Sequence, residues 1–223
     1  MSGAAPPFRV AIVPVTPFQQ NCSIIICAKT GKAAVVDPGG DLPRIEETLK
    51  KAAATLDRIL LTHGHIDHAG GAAELAEKHG VKIEGPHEAE APLLSRIAEQ
   101  AARFGVSGGR NVASDRWLND GDTVSVGEVT FDVLHCPGHS PGSVVYVWKA
   151  KPGDAIQGGL ALVGDVLFQG SVGRSDLYGG DHATLIASIK NKLLPLGDDI
   201  AFISGHGPMS TFGEERASNP FLT

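Results

Sequence analysis

The feature that most constrains the fold is a cluster of four side chains of metal-ligand type directly after a short apolar segment. Residues 56–62, LDRILLT, have the composition of a strand and run straight into the hexapeptide HGHIDH. In a chain of this composition the pattern H-x-H-x-D-H is expected by chance only about 0.001 times. Side chains two residues apart in an extended segment point to the same side, so His63 and His65 can hold one metal ion. Asp67 and His68 lie beyond the turn, where they can face a neighbouring ion.

Three further residues of ligand type stand in the same kind of context. His139, Asp165 and His206 each follow an apolar segment and have glycines nearby, which allow the backbone to turn sharply after a strand. Ligands delivered from strand ends are held by a rigid scaffold, as a metal site requires. Imidazole and carboxylate donors in this mixture suit zinc, iron or manganese. The other histidines lack this context and are expected to be structural: His79, His87, His135 and His182.

Composition and charge exclude several classes of protein. With 42% hydrophobic residues and a formal charge of -6, the chain is neither disordered nor a typical binder of nucleic acid. No apolar run approaches the roughly 20 residues of a membrane-spanning helix. The N-terminus lacks the basic and apolar regions of a signal peptide, so we expect a cytoplasmic protein. Cys22, Cys27 and Cys136 form no CxxC pair and are expected to be buried apolar residues.

Apolar segments that alternate with amphipathic ones predict a single mixed α/β domain over residues 1–223. Apolar residues at helical spacing predict helices over residues 42–54, 88–104 and 182–193. An irregular, glycine-containing stretch at residues 105–111 predicts a loop. Hairpin-like strands occur in both halves of the chain, and this order indicates two sheets inside and helices outside.

The order HxHxDH, then His, then Asp, then His resembles the metallo-β-lactamase superfamily, and the resemblance covers nearly the whole chain. It implies an αβ/βα four-layer sandwich with a metal site at one edge of the sheets. It also implies two divalent ions, with zinc expected and iron or manganese as alternatives. Under this resemblance one ion is held by His63, His65 and His139, the second by Asp67, His68 and His206, and Asp165 bridges the two.

The same resemblance implies how the centre works. A metal-bound hydroxide attacks a carbonyl, and Asp67 and Asp165 are the catalytic carboxylates. A shared carboxylate fits this arrangement, because two divalent ions close together need an anionic ligand to offset their repulsion. Asp37, at the end of an early strand, matches the acid that supports the metal ligands in the family; the alternative is an ordinary Asp-Pro turn.

Two segments are similar to the glyoxalase II group of thioesterases within that superfamily. One is GDVLF followed by GSVGRSD around and after Asp165, and the other is the tail from residue 205, GHGP through GEER to NPF. The reaction implied is hydrolysis of S-D-lactoylglutathione, or of a related acyl thioester, to a hydroxy acid and a free thiol. The expected partner is therefore a small-molecule thioester, with no nucleic acid or membrane involved and a monomer by default.

Arg174 and Tyr178 fall where longer glyoxalase II enzymes place a basic residue and a tyrosine that hold glutathione. A guanidinium can grip either of the two glutathione carboxylates. The alternative is that Arg174 only fixes its own loop. Because just 17 residues follow His206, no C-terminal helical glutathione-binding domain is expected. We therefore predict a thioesterase with weaker or broader substrate recognition.

Other activities stay open at this point. A persulfide dioxygenase of the same superfamily would use His63, His139 and Asp165 around one ferrous ion. That group also shows a GR-S/T-D segment, so residues 173–176 do not exclude it. A lactone or ester hydrolase would use the same site. A non-catalytic binding module would be expected to lack some of the metal ligands, whereas all seven ligand candidates are present. The NPF tail favours the hydrolase over the dioxygenase.

Overall fold

The computed structural model describes residues 6–151 and 158–223. Their Cα positions separate into two compact units. The first contains Pro7–Leu118 and Ser125–Val129, and the second contains Asn119–Val124 and Thr130–Thr223. The single domain expected over residues 1–223 stays a prediction.

The first unit contains a mixed five-stranded sheet with helices. Its elements are β1 (Phe8–Val15), β2 (Gln20–Cys27), β3 (Lys32–Val36), α1 (Leu42–Lys51), β4 (Thr55–Leu60), α2 (Ile66–Ala69), α3 (Ala72–His79), β5 (Lys82–Glu84), α4 (Ala91–Leu94) and α5 (Ile97–Phe104). The strand order is β1-β2-β3-β4-β5, with antiparallel pairing up to β3 and parallel pairing from β3 to β5.

The helix α1 shows how the sequence pattern becomes packing. Leu42, Ile45 and Leu49 repeat at helical spacing and are all buried in the same apolar core as β2, β3 and β4. Lys50 and Lys51 lie in the last turn, where positive charge is favourable beside the exposed carbonyl groups of a helix end. The helix predicted over residues 42–54 is therefore confirmed, with an earlier end.

Parallel pairing of β3 and β4 positions the first group of candidate ligands. The carboxyl ends of parallel strands meet at one edge of a sheet. Asp37 directly follows β3, and Thr62 and His63 follow β4, which ends at Leu60. These side chains therefore start from the same edge.

The second unit is built on a six-stranded sheet with one short additional ladder. The elements from here to the C-terminus are β6 (Thr123–Val126), β7 (Val129–His135), β8 (Val144–Lys149), β9 (Gly159–Gly164), β10 (Leu167–Phe168), β11 (Ser171–Val172), α6 (His182–Ser188), β12 (Ile200–Ser204), β13 (Ser210–Thr211) and α7 (Phe212–Ser218). The end of β6 and the first residue of β7 are grouped with the first unit. The large sheet has the order β13-β12-β9-β8-β7-β6, and β10 pairs with β11 in a separate two-stranded ladder.

Strand direction positions the second group of candidate ligands. The strands β9 and β12 run parallel, and β8 runs antiparallel to both β7 and β9, so that β7, β9 and β12 all end at the same edge. Asp165 directly follows β9, His206 comes two residues after β12, and His139 comes four residues after β7.

The single helix predicted over residues 88–104 is wrong. A 3-10 turn at Glu88–Glu90 is followed by the separate helices α4 and α5. Pro92 lies in the first turn of α4, because a residue without an N–H group is tolerated at a helix start but not inside a helix. The Ser95 hydroxyl donates to the Pro92 carbonyl over 3.1 Å, which competes with the helical ladder where α4 ends.

The loop expected at residues 105–111 is confirmed, since no helix or strand occurs there. The helix predicted over residues 182–193 is present as α6, which continues as a π-helical turn at Ile189–Leu193. Among the residues that the structure describes, no helix combines the length and apolar character needed to cross a membrane.

Candidate metal centre

A buried carboxylate, Asp37, organises the ligand candidates of the first unit. Its Oδ1 accepts the Thr62 backbone N–H at 2.7 Å, and its Oδ2 accepts the Thr62 hydroxyl at 2.6 Å. The same Oδ2 accepts the Nδ1–H of His68 at 2.9 Å. Asp37 and His68 are both buried, so these bonds are formed away from bulk water, where hydrogen bonds to a charged group are strong. This carboxylate therefore fixes the orientation of the His68 ring.

These bonds also decide which ring nitrogen of each histidine carries the proton. A carboxylate only accepts, so Nδ1 of His68 carries a proton, and in the neutral ring the lone pair is on Nε2. The Thr62 hydroxyl donates its one hydrogen bond to Asp37. It must therefore accept a hydrogen bond from His63 Nδ1, which lies 3.0 Å away. His63 is therefore also protonated at Nδ1, with a lone pair at Nε2. This is the tautomer of a metal-ligating histidine supported by an outer hydrogen bond.

The first two ligand candidates of the hexapeptide converge. His63 Nε2 and His65 Nδ1 are 3.0 Å apart, and the two rings stand nearly perpendicular at 87°. Around a tetrahedral zinc ion with Zn–N bonds of about 2.0–2.1 Å, two ligand nitrogens are about 3.4 Å apart. The pair therefore needs little adjustment to bind one divalent ion.

Asp67 and His68 form the second pair of the hexapeptide. Both lie in the single turn α2, and Asp67 Oδ2 is 3.8 Å from His68 Nε2. This distance is too long for a hydrogen bond but suits two ligands of one ion. Asp37, His63 and His68 also offer one possible ligand atom each, and these three atoms lie within 4.8 Å of one another.

In the second unit one carboxylate oxygen, Asp165 Oδ2, lies close to nitrogens of two histidines. Asp165 Oδ2 is 3.7 Å from His139 Nε2 and 3.6 Å from His206 Nε2. His139 donates its Nδ1–H to the Arg174 carbonyl at 2.8 Å, so its Nε2 again carries the lone pair. Asp165 Oδ2 therefore lies almost equally far from the two imidazole nitrogens.

The loop that links Asp165 to Arg174 is held by the C-terminal helix α7, a contact that sequence reasoning missed. The buried Glu215 accepts the Gly170 N–H at 2.8 Å and bonds the Asn219 side-chain amide at 2.8 Å. Asn219 also donates to the Ser171 carbonyl at 3.0 Å. The only sequence signal was the tail motif itself, which points to a family but not to a contact.

Arg174 and Tyr178 lie on the loop after β11 and are largely exposed. The Arg174 guanidinium forms two bonds with the Asp176 carboxylate, of 2.7 and 2.8 Å. This pairing lowers the pKa of Asp176 to about 2, chiefly because the bonded guanidinium stabilises the charged carboxylate. The side chain expected to grip a substrate carboxylate is thus already paired with a carboxylate of the chain.

The histidines and cysteines left out of the centre make structural contacts. His79 bonds Glu46 at 2.9 Å, and His87 accepts from the Ala89 N–H at a 3-10 helix start. His135 bonds the Pro141 carbonyl at 3.0 Å. The three cysteines are buried and form no disulfide with one another, and burial raises the pKa of the Cys136 thiol to about 12.

Comparisons with known proteins agree with this arrangement. A sequence profile described as the metallo-beta-lactamase superfamily matches residues 15–206, which include all seven ligand candidates. Over 215 residues the chain is 44% identical to a Haemophilus influenzae protein named hydroxyacylglutathione hydrolase GloC. That alignment covers 96% of this chain and 98% of the relative.

Two solved structures are similar over nearly their whole length. The BLEG-1 B3 metallo-beta-lactamase is 37% identical with a TM-score of 0.85, and 96% of this chain and 100% of that one are covered. A di-iron-bound form of TTHA1623 is 34% identical with a TM-score of 0.82, covering 95% of this chain and 100% of that one. The predicted α/β fold class, with two sheets and flanking helices, is confirmed by this similarity.

Proposed function

The chain belongs to the metallo-β-lactamase superfamily and is a metallo-hydrolase, and we propose that it hydrolyses an acyl thioester in the manner of glyoxalase II. S-D-lactoylglutathione is the proposed substrate, and a hydroxy acid and free glutathione are the products. The observation that carries this proposal is the 44% identity to a hydroxyacylglutathione hydrolase along almost the full length of both chains. We place the protein in the cytoplasm, where glutathione keeps thiols reduced.

We propose two divalent metal ions, held by the seven residues that the sequence singles out. The first ion is held by His63, His65 and His139, the second by Asp67, His68 and His206, and Asp165 is shared. The convergence of His63 Nε2 on His65 Nδ1 supports the first assignment. The nearly equal distances from Asp165 Oδ2 to Nε2 of His139 and of His206 support the proposed shared carboxylate. Zinc is the proposed ion, since nitrogen and oxygen donors suit it; iron and manganese use similar donors.

When bound, such a pair of ions lowers the pKa of a water and polarises the thioester carbonyl. The protein's own residues prepare this chemistry. Asp37, Thr62 and the Arg174 carbonyl hold a proton on Nδ1 of three histidines, so that each ring presents the lone pair of Nε2. Asp67 and Asp165 bring two negative charges against the four positive charges of two divalent ions. The proposed centre therefore stays positive and attracts an anionic substrate.

The test of this function combines metal content with a direct assay. We expect protein purified without chelators to contain two metal ions and to release thiol from S-D-lactoylglutathione, followed with a thiol-reactive dye. His63→Ala is expected to abolish the activity, whereas His79→Ala, which changes a histidine bonded to Glu46, is expected to retain it.

Two outcomes would overturn the assignment. One iron per chain together with oxygen uptake on glutathione persulfide would identify a dioxygenase, and faster hydrolysis of a β-lactam than of the thioester would identify a lactamase. The same preparation can be used for all three measurements. Loss of thiol release in His79→Ala as well as in His63→Ala would show that the effect is not specific to the proposed ligands.

Arg174 and Tyr178 are the proposed contacts to glutathione, and we predict that Asp176 limits the use of Arg174. Because the Asp176 carboxylate already pairs with the Arg174 guanidinium, a substrate carboxylate has to compete with Asp176 for that guanidinium. Asp176→Asn is therefore expected to lower KM for S-D-lactoylglutathione about two- to fivefold at low salt with kcat unchanged. The gain should shrink at high ionic strength, where exposed charges are screened.

A matched control for this prediction exists in the same unit. Asp198 is another exposed carboxylate paired with an arginine, Arg216, at 2.8 Å. Asp198→Asn is expected to leave KM unchanged, and an uncharged thioester should not distinguish Asp176→Asn from the wild type. An unchanged KM for the anionic substrate in Asp176→Asn would contradict the proposed competition.

A further inference from the structure

Two polar side chains from outside the hexapeptide hold the glycine between its first two histidines. The Glu90 carboxylate accepts the Gly64 N–H at 2.8 Å, and the Gln100 side-chain amide donates to the Gly64 carbonyl at 3.0 Å. These bonds fix both peptide groups of Gly64. The peptide on its N-terminal side continues from His63, and the peptide on its C-terminal side leads into His65.

The Gln100 side chain also bonds the backbone on both sides of His65. Its Nε2 donates to the Gly64 carbonyl, and its Oε1 accepts the Ile66 N–H at 3.1 Å. One planar amide thus bonds the residue before and the residue after His65. A further bond of 3.0 Å from Nε2 to the Leu93 carbonyl ties the same amide to α4. The backbone of His65 is therefore held by a side chain that is itself fixed.

Close packing makes this contact dependent on a glycine. A methyl group on Gly64 would lie 2.9 Å from Glu90 Oε2 and 2.8 Å from Leu93 Cβ, both closer than real contacts allow. Glu90 is completely buried, and a buried carboxylate is stable only when hydrogen bonds compensate its lost hydration. The Gly64 N–H is one of the donors that meet this need.

We propose that Glu90 and Gln100 are positioning residues that raise the affinity of the His63–His65 pair for its metal ion. A glycine between two ligands gives the loop many conformations in the absence of other constraints. Bonds to both of its peptide groups remove most of them before a metal binds, and His63 Nε2 and His65 Nδ1 stay 3.0 Å apart. The metal then binds without ordering the loop. This inference rests on the proposed metal centre, but not on the identity of the substrate.

The experiment measures metal affinity directly, by competition with a chromogenic zinc chelator. Gln100→Ala is expected to weaken zinc binding about 10- to 100-fold, the range for loss of a residue that orients a ligand. Its matched control is Glu99→Ala, an exposed neighbour on the same helix, with affinity unchanged. Glu90→Ala should weaken binding in the same way. Glu90→Gln keeps an oxygen acceptor for the Gly64 N–H and is expected to stay within about threefold of the wild type.

The visible spectrum of the cobalt-substituted protein supplies a second readout that a merely structural role would not move. A changed ligand-field band in Gln100→Ala, with circular dichroism unchanged, is the expected result. Wild-type zinc affinity in a folded Gln100→Ala protein would overturn the inference. If Gln100→Ala does not fold, Gln100→Glu tests the same inference. A glutamate keeps an oxygen acceptor for the Ile66 N–H but loses the two hydrogen bonds that the Gln100 amide donates. Unchanged zinc affinity in Gln100→Glu would also overturn the inference. Wild-type protein that binds no zinc would instead contradict the proposed metal centre.

Discussion

Replacing Asp165 with asparagine is expected to lower kcat/KM for S-D-lactoylglutathione by at least about 10³-fold, or about 4 kcal/mol of transition-state stabilisation. The reason is the position of Asp165 Oδ2, 3.7 Å from His139 Nε2 and 3.6 Å from His206 Nε2. In the proposed centre two divalent ions would share this oxygen, and its negative charge would offset their mutual repulsion. Asparagine keeps the shape of the side chain and removes the charge.

Metal content distinguishes this explanation from a general disturbance of the fold. Asp165→Asn is expected to retain fewer than two metal ions per chain by elemental analysis, with an unchanged circular dichroism spectrum. Asp132→Asn is the matched control, since Asp132 is an exposed residue on β7 in the same unit, and it should keep full activity and both metals. A folded Asp165→Asn protein that kept both metals and more than a tenth of the activity would contradict a shared, catalytically required carboxylate.

Much of the candidate site could be predicted because each ligand follows an apolar segment that becomes a strand. Most of the segment at residues 56–62 becomes β4, which ends at Leu60, and His63 follows three residues later. The same relation holds for Asp165 after β9 and His206 after β12. An apolar segment shows where a strand lies in the sequence. Parallel pairing then brings the side chains that follow each strand to the same edge of the sheet. Local information was therefore sufficient to single out the ligand candidates.

The family resemblance pointed to Asp37 as a supporting acid, but the individual supporting contacts could not be predicted, because their partners lie far away in the sequence. Asp37 bonds Thr62 across 25 positions, and Gln100 bonds Gly64 across 36. No local pattern marks a residue such as Gln100, since a half-buried amide that bonds a distant backbone has the same sequence signature as an exposed one. The ion pair of Arg174 is different: its partner Asp176 is only two residues away, and the sequence reading considered the arginine only as a contact to substrate or to its own loop.

Gly39→Ala is expected to lower the free energy of unfolding of the metal-free protein by about 2–4 kcal/mol. In protein purified without chelators, the same substitution is expected to remove most of the bound metal. A methyl group on Gly39 would lie 1.5 Å from the Asp67 carbonyl oxygen and 2.3 Å from its carbonyl carbon, both backbone atoms that no side-chain rotation can move away. The turn after β3 and the single-turn helix α2 would have to separate. That movement would stretch the 2.9 Å bond between Asp37 and His68, so one substitution should disturb stability and metal binding together.

The neighbouring glycine supplies a control that differs only in what surrounds it. A methyl group on Gly40 would meet only the Thr16 methyl, at 3.2 Å, and a side-chain methyl can give way. We expect Gly40→Ala to cost less than about 1 kcal/mol in urea unfolding and to bind metal like the wild type. Equal losses of stability in the two variants would show that glycine in this turn matters for backbone freedom rather than for close approach. Normal metal content in Gly39→Ala would show that the Asp37 bond to His68 does not depend on that approach.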